Sequence, residues 1–273
     1  MIIRGIDFTS RPTRRKPITC AEGWLDGPAL RVKPVIEWES FEGFEKVLRG
    51  PGPWIAGLDF PFSQARRFVE GVGWPQSWAE LIAHVGAMSR PAFRTALEAY
   101  RLSQPMGRRE HRRETDRQAK SISPQKLYGV PVALMFFEGA PRLLASGVTI
   151  PGLVEGDPGR VAVEAYPGVL ARHLIGRRSY KNDDPRRQTP DQHRARQQIL
   201  ACLCEGALLP THGVIVEADP SFADDPTGDT LDALLCAVQA AWSWRERDRA
   251  FGMPDGFDPL EGWIAEPTLG SRG

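Results

Sequence analysis

The first 60 residues alternate short apolar runs with turn-forming residues, a pattern of strands rather than of long helices. Runs at residues 2–7, 16–21 and roughly 30–36 predict three short strands, separated by Pro12 and by Asp26-Gly27-Pro28. Links this short favour an antiparallel meander. Phe41, Phe44, Val47 and Leu48 then recur at i, i+3, i+6 and i+7, a helical period that ends before Gly50-Pro51-Gly52-Pro53. Trp54 to Leu58 reads as a further strand, with the helix as the crossover that a parallel connection requires. The expected order is β-β-β-α-β.

From 64 to 147 the pattern is mainly helical but interrupted at Pro75, Pro91, Pro105, Pro124 and Pro131. It predicts a helical insertion or cap over 64–157 within one domain covering 1–273. Strand character resumes at Arg160-Val161-Ala162-Val163-Glu164, and a helix follows with Pro167 near its first turn, where a missing amide donor costs little. Another helix is expected over 191–205, while Val214-Ile215-Val216 reads as a short strand or as part of a loop. Thr230 to Trp244 carries the strongest helical stripe, formed by Leu231, Leu234, Leu235, Val238, Ala241 and Trp242. The tail from Pro254 keeps Phe257, Leu260, Trp263 and Ile264, so part of it is expected to pack down.

Composition narrows the class. With 273 residues and 41% hydrophobic content the chain can bury a substantial core, and the mixed pattern predicts a soluble globular α/β protein. Its 35 Lys and Arg nearly cancel 34 Asp and Glu, a formal charge of +1, so no global field draws it to nucleic acid or to an anionic membrane. Attraction of that kind must be local, in the basic clusters at 11–16, 108–117 and 177–187, which read either as phosphate contacts or as solvated faces. Cysteines 20, 202, 204 and 236 have no repeated Cys-x-x-Cys spacing, which predicts a reduced intracellular chain without a cysteine zinc site. No run approaches ~18 apolar residues and the opening lacks the layout of a signal peptide, so no membrane association and a cytoplasmic location are expected.

The candidate chemistry lies in acids. Three strand-like runs stop on a carboxylate, at Asp7, Asp59 and Glu164, and open α/β sheets place their chemistry at the carboxyl edge. If the strands are parallel neighbours, the carboxylates converge, and like charges that close require a bound cation or proton. Asp232 is positioned to join from the first turn of the last long helix. Asp229 competes with it, and both also read as ordinary capping or first-turn acids. Oxygen-only ligation suits Mg²⁺ or Mn²⁺, and two such ions ~3.5–4 Å apart support in-line phosphoryl displacement. The expected set is Asp7 as central ligand, completed by Asp59, Glu164 and Asp232. Arg11 and Lys16, close behind the first acid, and Arg113, Asp116 and Lys120 in a polar stretch are candidates for substrate contact, with local salt bridging as the competing reading. Asp224 and Asp225 read as solvated loop acids. A phosphate-binding Gly-rich loop, a Gly-x-Ser-x-Gly elbow and metal-spaced histidines are all missing from the sequence.

Five pieces resemble the DUF429 family of predicted nucleases in order and spacing: Gly5-Ile6-Asp7, Gly57-Leu58-Asp59-Phe60-Pro61-Phe62, Arg113-Glu114-Thr115-Asp116, Val163-Glu164-Ala165-Tyr166-Pro167 and Asp229 through Ala237. The resemblance covers most of the chain. It implies a ribonuclease H-like fold, a mixed five-stranded sheet flanked by helices with its first three strands antiparallel. It also implies an acidic site for Mg²⁺ or Mn²⁺ acting on the phosphodiesters of nucleic acid. Asp7 would be the acid of the first strand, Asp59 that of the fourth, and Asp232 or Asp229 that of the closing helix, with Glu164 extending the set. The long helical segment departs from a minimal core of that kind. A metal-dependent nuclease is therefore the expected function. The alternatives are a non-catalytic nucleic-acid-binding or assembly protein of the same fold, and an actin-like or sugar-kinase-like phosphotransferase, which would need a second similar domain.

Overall fold

The computed structural model of the chain describes residues 1–270. It opens with β1 (Ile2–Asp7), β2 (Ile18–Asp26), β3 (Ala29–Val32), β4 (Ile36–Trp38), α1 (Phe41–Arg49) and β5 (Trp54–Asp59). β1 pairs antiparallel with β2, β2 pairs antiparallel with β3, and α1 carries the chain over to β5, which pairs parallel with β1. The single strand expected over 30–36 is two. Ala29–Val32 pairs with one half of β2 and Ile36–Trp38 with the other, and between them lies Pro34, which has no amide donor for a ladder. Ser40 caps α1 by accepting from the Glu42 amide, and Phe44 and Leu48 bury its apolar side.

Helices α2 (Arg66–Gly71), α3 (Trp78–Gly86), α4 (Arg90–Ser103), α5 (Glu114–Gln118) and α6 (Val132–Ser146) follow. Pro75, Pro105 and Pro124 fall between them, whereas Pro91 lies in the first turn of α4 behind its cap Ser89, so this proline starts a helix instead of breaking one. Next come β6 (Val148–Thr149), β7 (Asp157–Glu164), α7 (Pro167–Ile175), α8 (Pro190–Cys204), α9 (Leu209–His212), β8 (Ile215–Glu217) and α10 (Asp229–Arg245). The stretch near Val214 is thus a strand, paired parallel with β3.

Among the described residues the strands form one mixed sheet of eight in the order β6-β7-β5-β1-β2-β3-β8, with β4 beside β2. The count exceeds the implied five because β4, β6 and β8 add short pieces of two or three residues, too brief for a period to register. Helices flank both faces. On one, Ile6, Trp54 and Leu58 pack with Phe44 of α1 and Phe136 of α6. On the other, Ile3, Ile55 and Val163 pack with Leu170 of α7, Ile199 of α8 and Leu234 of α10. The two-residue alternation of β1 and β5 is what divides these cores.

Two glycines set the distance between α10 and the sheet. A methyl group at Gly5 would lie 1.9 Å from the Ala233 carbonyl oxygen, and one at Gly57 would lie 2.4 Å from that of Cys236. The helix backbone therefore rests directly on β1 and β5. Gly5→Ala would push it away, an overpacking cost of about 1–3 kcal/mol or more. The tail packs down as expected: Leu260, Trp263 and Ile264 are buried, and the Ala265 amide donates to the Glu164 carbonyl at 2.8 Å. Among the described residues, no helix is long and apolar enough to cross a membrane.

Candidate metal centre

Strand register brings the first two acids together. β1 and β5 run parallel with Gly5 opposite Gly57 and Asp7 opposite Asp59. Since side chains alternate, Asp7 and Asp59 project from the same face as those glycines, the face covered by α10. Asp229, Asp232, Ala233, Cys236 and Ala237 recur at helical spacing along the side of α10 that meets the sheet, so the first turn of the helix carries its acids over the strand ends. Carboxylate oxygens of Asp7, Asp59 and Asp232 lie within 4.8 Å of one another, with Asp7 and Asp232 buried and Asp59 partly so.

Such crowding has an electrostatic cost. Burial first, and then the charges of Asp229 and Asp232, hold the Asp7 carboxyl well above the ordinary carboxylate range. Burial, followed by the charge of Asp232, pushes Asp59 up to about 7. Three carboxylates in so little volume cannot all ionise without a proton or a cation among them.

One cation is already present. Lys181 donates through Nζ to Asp232 Oδ2, and the Tyr180 hydroxyl donates to Asp232 Oδ1 at 2.6 Å. Burial opposes the Lys181 ammonium, but Asp232 and the neighbouring acids outweigh it and hold its pKa well above the usual lysine range. Neither residue was singled out from the sequence. They sit in the polar, arginine-rich segment after α7, which has no period to mark them, and only the closeness of that segment to the start of α10 gives them a role.

Asp229 lies outside the three-acid group. It accepts from Lys16 Nζ at 3.3 Å, and Lys16 also donates to Asp183 at 2.9 Å. Capping of α10 does not fall to Asp229 or Thr230: Gly228 occupies the N-cap position in a left-handed conformation. Asp225 accepts from the Thr230 amide at 3.1 Å and from Thr227, so this acid is a half-buried acceptor rather than the solvated loop residue expected.

Glu164 extends from the opposite face at the same sheet edge, near enough that its charge contributes to raising Asp59 and that it lines one cavity with Asp59 and Asp232. It is in register with Leu58, one residue before Asp59, and so projects towards the opposite face. There it accepts from Arg113 Nη1 at 2.7 Å and Nη2 at 2.5 Å, and from the Phe62 amide at 2.9 Å. Arg113 also holds Asp116 through Nε at 3.0 Å and Nη2 at 2.9 Å, and Ser121 donates to Asp116 at 3.0 Å. Arg113, Asp116 and Glu164 are all buried. The guanidinium thus joins α5 to the end of β7. Arg11 is exposed and lines an open depression with Phe41, Arg90 and Arg94, while Lys120 is exposed at a φ of +53°.

The fold and the site together define an α/β protein with a buried carboxylate cluster at the carboxyl edge of its sheet. The chain belongs to the DUF429 family, described as a protein of unknown function, whose model matches residues 5–256. No curated protein and no solved structure gives a significant match.

Proposed function

We propose that this protein is a divalent-metal-dependent phosphodiester hydrolase, a nuclease built on a ribonuclease H-like sheet. The observation that carries the proposal is the convergence of Asp7, Asp59 and Asp232 within 4.8 Å in a largely buried setting. The run β3-β2-β1-β5-β7, antiparallel on one side of β1 and parallel on the other, supports the fold assignment, as does the placement of the acids on β1, on β5 and on the long helix α10.

In this reading Asp7, Asp59 and Asp232 hold Mg²⁺ or Mn²⁺. The donor set fits, being oxygen-only and carrying more negative charge than its surroundings balance. When bound, a hard divalent cation supplies Lewis-acid stabilisation of the charge that develops during in-line displacement at phosphorus. Asp229 keeps Lys16 beside the group, and Lys16 and Lys181 face the incoming phosphate. Glu164, itself held by Arg113, accepts from the Phe62 amide and so fixes the segment leading out of β5. The residues of 64–157 form a cap on one domain.

Asp7→Asn tests the reading. Changes to groups that only hold a metal's ligands already cost up to roughly 100-fold in metal affinity, so loss of a direct ligand should weaken Mn²⁺ binding by more than that and abolish cleavage of labelled single-stranded, duplex and branched oligonucleotides, with the circular dichroism unchanged. Cleavage that persists in the variant or in chelator, or tight Mn²⁺ binding by the wild type with no cleavage of any substrate, would sink it.

A further inference from the structure

We infer that the cavity beside the acids is a binding site for the base of a nucleotide, whose phosphate is directed towards Asp7, Asp59 and Asp232. The inference rests on the proposed hydrolysis and names its substrate unit.

The cavity measures about 290 Å³. One end is lined by Asp59, Asp232 and Lys181, so it opens directly onto the acidic cluster. Part of its wall is formed by Arg113, Asp116 and Glu164, which are bonded to one another, and the rest is of a different character. Phe60 and Pro61 come from the segment after β5, Val132 and Met135 from α6, Tyr166 from the start of α7 and Ile264 from the tail. A site that gripped only a sugar-phosphate backbone would present cations and amide donors on all sides. Here the acidic cluster and the mutually bonded Arg113, Asp116 and Glu164 border a chamber whose remaining wall is apolar with tyrosine rings, a combination suited to a flat group of low charge attached to a phosphate. Nucleobases have this chemistry, and base recognition by enzymes relies on stacking between aromatic and apolar side chains.

Polar groups for the base edge are present as well. Lys126 lines the chamber, as does Ser121, whose hydroxyl donates to Asp116 and can accept from a ligand. The Lys126 ammonium lies 5.2 Å from the Tyr128 ring centroid, and it has no carboxylate partner among the described residues. Ile122 and Val130, also in the lining, are 40% and 51% exposed, unusual for large aliphatic side chains and consistent with a mouth that contacts a ligand. A duplex keeps its bases stacked inside, so a chamber of this kind takes a base only from a single strand, a frayed end or a flipped nucleotide. Substrates with such a base are thus preferred over intact duplex.

Equilibrium binding to the full chain provides the test, using the four nucleoside 5′-monophosphates, ribose 5-phosphate, the parent nucleosides and ribose, each with and without Mn²⁺. Stacking of one base predicts that at least one nucleoside monophosphate binds roughly tenfold more tightly than ribose 5-phosphate. The same nucleoside should bind more tightly than ribose even without Mn²⁺. Met135→Trp fills the chamber and should bring the nucleotide preference close to one; Ile122→Asp, at the exposed mouth, should reduce it severalfold and serves if the first variant does not fold. Equal affinity for every nucleotide and ribose 5-phosphate, or a preference untouched by both substitutions, overturns the inference. The two readings separate cleanly. Mn²⁺ binding without base preference removes the base site and leaves the metal centre, whereas base preference without Mn²⁺ binding leaves the base site and removes the metal centre.

Discussion

Two buried groups of acids occupy one edge of the sheet, and they are neutralised in opposite ways. Glu164 and Asp116 share the guanidinium of Arg113, with every charged group hydrogen-bonded and with further support from Ser121 and the Phe62 amide. Asp7, Asp59 and Asp232 have the ammonium of Lys181 and the hydroxyl of Tyr180, both directed at Asp232. The first group leaves no charged atom without a partner and joins α5 to β7, although burial still raises the Glu164 carboxyl above its ordinary range. The second retains excess negative charge, and burial, reinforced by that charge, lifts Asp59 to about 7 and Asp7 well out of the ordinary range. Acids at strand ends are thus not one kind of feature: the cations that reach them separate a structural joint from a centre that calls for an external ion.

Removing the internal cation should distinguish the groups most sharply. Arg113→Ala leaves Glu164 and Asp116 buried without their counter-charge, and the free energy of unfolding should fall by about 3–5 kcal/mol, measured by urea denaturation. A loss below about 1 kcal/mol would mean that water replaces the guanidinium and that the group is not the joint described.

A smaller effect is expected at the other group. Lys181→Met removes an ammonium that competes with a divalent ion for Asp232. If the pair is worth about 1 kcal/mol, Mn²⁺ affinity should rise roughly fivefold by paramagnetic resonance titration. Weaker Mn²⁺ binding would instead make Lys181 part of the binding machinery.

A third probe is pH. Asp59 has a folded pKa of about 7 against an ordinary 3.8, so the folded state binds its proton more tightly than the unfolded state does. The stability this contributes is complete below the ordinary value and is lost as pH rises through about 7. In metal-free protein the Tm of the wild type relative to Asp59→Asn should therefore fall by a few degrees between about pH 5 and pH 8. Saturating Mn²⁺ should remove the slope by taking the place of the proton. A difference that is flat or rises with pH in metal-free protein would contradict the raised carboxyl assigned to Asp59.

Much of the three-acid group was legible in the chain itself. Ile2 to Asp7 and Trp54 to Asp59 are uninterrupted runs that stop on an acid, and Asp232 precedes an apolar helical stripe, so local pattern alone pointed to each. Glu164 ends a run of the same appearance, yet its side chain serves the other face. The reason is register: Glu164 is opposite Leu58 rather than Asp59, and a shift of one residue along a strand exchanges the faces. Lys181, Tyr180 and Asp225 were not legible because their partners lie in another element or across a loop and their own neighbours show no period.

By itself, then, the amino-acid order determined where the longer strands and helices form, that acids stand at the ends of β1, β5 and β7 and at the start of α10, and which family the motifs resemble. These properties depend on hydrophobic period, turn residues and capping, all of which act within a few positions of the chain. Only the tertiary structure decided which carboxylates share a face, which of them receive Arg113 or Lys181, and that an apolar chamber opens beside them. Those outcomes depend on strand register and on segments meeting from far apart in sequence, where a displacement of a single residue reverses the environment of a charge.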